Sequence, residues 1–190
     1  MPSAAYSGYL LPLLHDAVEL DEAHANLRTG GPGRQYGLGA LNRAAVVMCV
    51  AAWEAYIEEL VKEAVNAIRP AGPPLGIWTA LNATVRSAVG RFNTPNTDQV
   101  RLLISDAIGL PDVHLSWAWR GCTPGQARAR LQEVMDFRHE VAHGVNPRPV
   151  IHNRYSSQLP DFFRRLGRCT DASVRAHLVD VLGVAEPWPA

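Results

Sequence analysis

Thr123-Pro124-Gly125-Gln126-Ala127-Arg128-Ala129-Arg130-Leu131-Gln132-Glu133-Val134-Met135-Asp136-Phe137-Arg138-His139-Glu140-Val141-Ala142-His143-Gly144 is the stretch on which the reading of this chain turns. It opens with the strongest helix start in the sequence. Thr123 takes the capping position, Pro124 is first in the helix, and Gln126 follows three residues after the threonine, the pattern of a capping box. The helix is expected to run to about His143, where Gly144 and Pro147 end it. Its last turn has two spellings. From Arg138, an arginine and a histidine are separated by four residues, a cation and a proton-transfer group fit to flank one phosphate. From His139, the letters are H-E-x-x-H, two imidazoles that share a metal ion with a glutamate between them.

Helix geometry bears on the choice. Leu131, Met135, Arg138 and Ala142 are spaced four, three and four, so Arg138 lies on the apolar stripe. An arginine there is costly unless it is paired or faces an interface. Arg138 and His143 stand about 140° apart around an ideal helix, a gap that a long arginine bridges at an unwinding end. His139 and His143 are nearly superposed on the adjacent face. A zinc hydrolase also needs a third protein ligand. One common continuation requires glycine at 146 and histidine at 149, where this chain has Asn146 and Pro149. Another requires a later glutamate, and after Glu140 there is only Glu186. His152 has no familiar spacing. Zinc proteases of this type set the helix beside a β-sheet, and the rest of the chain predicts none.

The remaining sequence reads as helices joined by proline and glycine. Leu10, Leu13, Leu14, Ala17, Leu20 and Leu27 mark a first helix over about 10–28, with Pro12 blurring its start. Residues 29–39 are glycine-rich. Gly30-Gly31-Pro32-Gly33 lacks the Gly-Lys-Ser/Thr ending of a phosphate loop, so it is read as a linker. A long helix follows over about 41–68, its stripe formed by Val46, Val50, Trp53, Ile57, Leu60, Ala64 and Ile68. Pro70, Gly72, Pro73 and Pro74 stop it. Ile77, Leu81, Val85 and Val89 mark a third helix. Val100, Leu103, Ile104 and Ile108 mark a fourth, opened by the cap candidates Asn96, Thr97 and Asp98. Residues 155–166 and 171–182 predict two more. No alternating strand pattern appears, so the fold is expected to be an all-α bundle.

Composition narrows the function classes. A hydrophobic fraction of 47% and a mean hydropathy of -0.06 describe an ordinary globule, with no apolar run of membrane-spanning length. Cys49, Cys122 and Cys169 have no paired spacing and are expected to be reduced thiols, as in a cytoplasmic protein. The net charge is zero, but the basic set is 17 Arg and a single Lys, Lys62. Residues 118–175 hold ten Arg against five acids, a local balance of +5, whereas the first 117 residues carry -3. Arginine suits phosphate because its planar fork donates two hydrogen bonds at once.

Arg138-x4-His143 at the end of a late helix, in an all-α chain, resembles the HEPN superfamily. Two further segments carry the resemblance in the right order. Ala52-Trp53-Glu54-Ala55-Tyr56-Ile57-Glu58-Glu59-Leu60 is similar to the family's early helix. Phe92-Asn93-Thr94-Pro95-Asn96, with the Val100–Ile108 helix and Trp117, is similar to the middle of the RiboL-PSP-type branch. His139 departs from the polar residue, often asparagine, usual after the motif arginine. The resemblance implies a HEPN-like bundle of about five to seven helices in a single domain over 1–190, with its core at about 40–146 and C-terminal helices over 155–183. It also implies a metal-independent endoribonuclease without cofactor. RNA is the implied substrate, stress response or antiviral defence the role, and the active site lies in a homodimer interface. A neutralising antitoxin or defence-system protein is an implied partner.

By the same resemblance, His143 is the general base or acid, Arg138 holds the scissile phosphate, and His139 polarises it or supplies the second proton transfer. Glu54 orients Arg138, and Asn93 supports the site. The alternative is a HEPN domain that binds RNA, nucleotide or protein without cutting, and the third reading is the zinc protease. Arg164, Arg165 and Arg168 either guide RNA or decorate a solvent-facing helix. Glu140 is expected on a solvated face, Asn93 in a turn or cap, and Trp53, Trp117 and Trp119 in the core.

Overall fold

The computed structural model describes residues 1–28, 38–73, 75–144 and 150–188. The Gly30–Gly33 linker, Pro74 and the stop assigned to Pro147 lie outside the described residues. Among the described residues the regular structure is all helical, apart from an isolated bridge between Trp119 and Cys122. Its helices are α1 (Leu11–Asn26), α2 (Leu38–Ala67), α3 (Gly76–Val89), α4 (Thr97–Ile108), α5 (Pro124–Ala142), the single turn α6 (Asn153–Ser156) and α7 (Leu159–Asp180). The all-α bundle expected from the sequence is therefore present. No helix among the described residues is long and apolar enough to cross a membrane.

α2 is the axis of the bundle and packs against every other helix. The expected stripe is buried from Val46 to Ala64, but Ala45, Cys49, Ala52, Tyr56, Val61 and Val65 are buried too. A helix apolar on more than one side belongs in the middle of a bundle, where neighbours cover each side. The aromatic residues of α2 knit it to its surroundings. Trp53 lies edge-on to Trp117, with ring centroids 6.1 Å apart, and leans on Phe163 of α7. The Tyr56 hydroxyl donates to the Gly167 carbonyl at 2.9 Å.

The first helix starts earlier than the sequence suggests. The chain is helical from Ala4, and a wide π turn over Tyr6–Leu10 precedes α1. Leu11 N–H closes that turn on the Tyr6 carbonyl, and Pro12, which has no N–H to donate, sits within the first turn of α1. Glu63 accepts from the backbone N–H groups of Ala4 and Ala5, both at 3.0 Å, and pins this start to α2.

The C-terminal region corrects the expectation of two helices over 155–166 and 171–182. After the turn of α6, α7 runs without a break through Gly167 to Asp180. Gly167, between the two expected helices, is a packing device in the fold. A methyl group added to it would overlap the Leu10 side chain and crowd the Tyr6 ring at 3.2 Å. The missing side chain lets α7 lie directly on the N-terminal helix. Two other expectations need adjusting. Ile77 is 82% exposed and Leu27 is 61% exposed, so α3 and the end of α1 bury less than their patterns imply.

Candidate active site at the end of α5

The start of α5 forms as its sequence dictates. Thr123 Oγ1 accepts from Gln126 N–H at 3.3 Å, and Gln126 Oε1 accepts from Thr123 N–H at 2.9 Å. Ala127, Leu131, Val134, Met135 and Phe137 then face the core. Phe137 meets the Tyr155 ring edge-on, with centroids 5.3 Å apart, and the Tyr155 hydroxyl donates to Glu133 at 3.2 Å. Burial first, then Glu133, pushes the Tyr155 phenol well above its ordinary value, so it stays a neutral donor.

The core beneath α5 runs out before the helix does. Leu131 and Met135 are buried, Arg138 is half-buried, and Ala142 is exposed. Arg138 thus emerges from the apolar stripe at the edge of the molecule. Among the described residues it enters no ion pair. Glu54 of α2 is its electrostatic neighbour. Burial raises the Glu54 carboxyl above its usual range, the Arg138 guanidinium pulls it down, and Glu58 pushes it up. The expected relation between these two side chains is therefore one of proximity without a closed salt bridge.

His139 and His143 stand on the exposed side of the same turn. Their ring centroids are 4.3 Å apart and the rings are inclined by 57°. His143 N–H donates to the His139 carbonyl at 3.1 Å, so the last turn remains helical through the motif. Gly144 then leaves the helix at φ +71°, a left-handed conformation that suits glycine. The solvated face expected for Glu140 is not found. The residue is half-buried, and its Oε2 is shielded from solvent with no partner among the described residues.

The other expected residues divide. The Phe92–Asn96 connection docks on α2 at Trp53, whose Nε1 donates to the Pro95 carbonyl at 2.9 Å. Asn93 in that connection is exposed and accepts from the Thr94 hydroxyl at 3.3 Å; among the described residues no hydrogen bond links it to the motif. Asn96, not Asn93, caps α4, accepting from Gln99 N–H at 2.9 Å. Arg164, Arg165 and Arg168 lie on the outer side of α7, and among the described residues no hydrogen bond or ion pair joins them to the end of α5. Arg164 and Arg165 share Asp161, at 3.6 and 2.8 Å, while Arg168 lines an open pocket with Tyr6, Asp171 and Arg175. Trp53 and Trp117 are fully buried and offer no face to a base, and Trp119 packs on Phe162.

The zinc-protease spelling meets a geometric obstacle. Among the described residues, no third His, Cys, Asp or Glu converges with His139 and His143. Asn146 and Pro149 lie outside the described residues.

No curated protein and no solved structure matches the chain. A family model, RiboL-PSP-HEPN, matches residues 13–175. The match takes in most of α1, the aromatic axis of α2, the α3–α4 connection, the whole of α5 with Arg138 and His143, and most of α7. It reaches further in both directions than the three segments first legible in the sequence, and the chain belongs to the RiboL-PSP-HEPN family.

Proposed function

We propose that the chain is a metal-independent endoribonuclease acting through Arg138, His143 and His139. Membership of the family supports a nuclease or RNA-binding module in general. The finer reading rests on one observation. A half-buried arginine with no ion-pair partner among the described residues emerges on the turn that also exposes two imidazoles. A guanidinium that no carboxylate occupies keeps its fork for phosphate oxygens.

In this reading Arg138 holds the scissile phosphate and offsets the charge that builds on its non-bridging oxygens. The imidazole of His143 takes the proton from the ribose 2'-hydroxyl, histidine being the side chain most often used for proton transfer in catalysis. The 2'-oxygen bonds to phosphorus, the bond to the 5'-oxygen breaks, and His139 gives that oxygen a proton. The products are a 2',3'-cyclic phosphate and a 5'-hydroxyl, with no water or metal consumed. Glu54 lies on the inner side of Arg138 and biases where its guanidinium rests. Arg138 stands where the buried face of α5 reaches the surface, and in this reading a second copy of the chain covers it. The role in stress response or antiviral defence rests on the family resemblance alone.

The test is incubation of purified protein with RNA in EDTA, beside Arg138→Ala and His143→Ala. EDTA-resistant cleavage that both substitutions remove is the expected result. RNA that is bound but never cut would favour the non-catalytic binding module instead.

A further inference from the structure

The two imidazoles at the end of α5 have a second capacity that RNA cleavage does not use. We infer that His139 and His143 form a bidentate site for a divalent transition-metal ion of the zinc class, and that its occupation switches the cleavage site off. The inhibitory half of this inference rests on the ribonuclease reading; the metal site does not.

Four observations carry it. The His143 N–H to His139 carbonyl bond, 3.1 Å long, keeps the residues one helical turn apart on one face. The ring centroids are already 4.3 Å apart. A tetrahedral ion with Zn–N bonds near 2.0–2.1 Å holds two ligand nitrogens roughly 3.3 Å apart, which inclined rings at this separation reach by side-chain rotation. Both side chains are exposed, and neither ring is held in a hydrogen bond among the described residues, so no existing contact has to break. The pair also sits at a helix C-terminus, where the unsatisfied carbonyls favour a cation.

The same facts limit the site. Among the described residues there is no third His, Cys, Asp or Glu ligand, and Glu140 Oε2 is shielded from solvent whereas the imidazoles are exposed. Water fills the remaining positions, so binding is reversible and weaker than at a closed structural site. The chemical consequence is direct. An imidazole nitrogen that donates its lone pair to a metal no longer accepts a proton from the 2'-hydroxyl. The H-E-x-x-H spelling thus describes a brake on the motif and not a protease.

The experiment titrates untagged, full-length protein with zinc chloride, followed by calorimetry and by the imidazole proton resonances. One zinc per chain is expected, with His139 and His143 resonances shifting together. Loss of an outer-sphere partner alone weakens metal sites by about 10–100-fold, so His139→Ala and His143→Ala should each weaken binding at least tenfold. Arg138→Ala should bind zinc at least as tightly as the parent chain, since a neighbouring positive charge is gone. Saturating zinc should abolish RNA cleavage by the parent chain, and excess EDTA should restore it. Absence of binding overturns the inference, as does binding that survives both histidine substitutions, which would place the ion on Cys122, Cys169 or another group. Cleavage that bound zinc leaves unchanged or accelerates overturns the inhibitory role. A chain that binds zinc through the pair but cuts no RNA, with or without metal, counts against the ribonuclease reading alone.

Discussion

Glu54 on α2 faces Arg138 on α5 closely enough for the guanidinium to pull its carboxyl down, yet no ion pair closes between them. Burial is the larger influence and leaves the carboxyl raised. A carboxyl raised by folding binds its proton more tightly in the folded state. Its contribution to stability is therefore present at low pH and lost as pH rises through the folded pKa. Glu54→Gln, which holds the neutral form, should unfold at higher urea than the parent chain at pH 7. The difference should close as the pH falls toward the ordinary glutamate value, near 4. Arg138→Ala should raise the Glu54 carboxyl further, measurable by carbon-13 titration. A Glu54 resonance that titrates identically in both chains would show that the two groups are uncoupled.

Arg138→Ala and His143→Ala should act differently on the proposed reaction. Removing a general acid or base costs about 100–10,000-fold in rate, and removing a charge-stabilising donor costs about 100–1,000-fold. His143→Ala should lower kcat with little change in RNA affinity. Arg138→Ala should lower kcat and also weaken RNA binding, because it removes a phosphate contact in the ground state. Single-turnover cleavage with a labelled oligonucleotide separates the two effects.

Gly167→Ala sets helix propensity against packing. Alanine in place of glycine inside a helix favours the folded state by about 1 kcal/mol. Here the added methyl meets Leu10, which is fully buried and cannot swing into solvent, and the Tyr6 ring. Overpacking of this kind costs about 1–3 kcal/mol, so a net loss of stability is expected, read from the urea midpoint. Leu10→Ala should be destabilising alone but less so in the Gly167→Ala background. That coupling is the signature of a shared site.

Thr123→Ala removes one half of the capping box at the start of α5 and should cost about 1 kcal/mol, or roughly 2–4 °C in melting temperature for a chain of this size. The motif lies at the opposite end of the helix. RNA cleavage below the melting transition should therefore be unaffected, and a loss of activity without a loss of stability would contradict the independence of the two ends.

Much of this molecule was legible in the residues themselves. The capping box of α5, the Asn96 cap of α4 and the apolar stripe of α2 are local patterns, set by backbone hydrogen bonds and by the 3.6-residue period. The Arg138–His143 spacing is local too, because the helix itself places both side chains with no help from the rest of the chain. Tertiary structure decided whatever depends on which groups arrive from elsewhere. Gly167 continues a helix because Leu10 and Tyr6 fill the space where its side chain would be. Glu140, expected on a solvated face, is half-buried in the packed chain, with one carboxylate oxygen shielded from solvent. Arg138 lies on an apolar stripe in the sequence, but only the packed bundle sets where the core beneath that stripe ends. That boundary is a property of volumes and contacts, and it leaves the arginine half-covered, beside Glu54 and unpaired among the described residues.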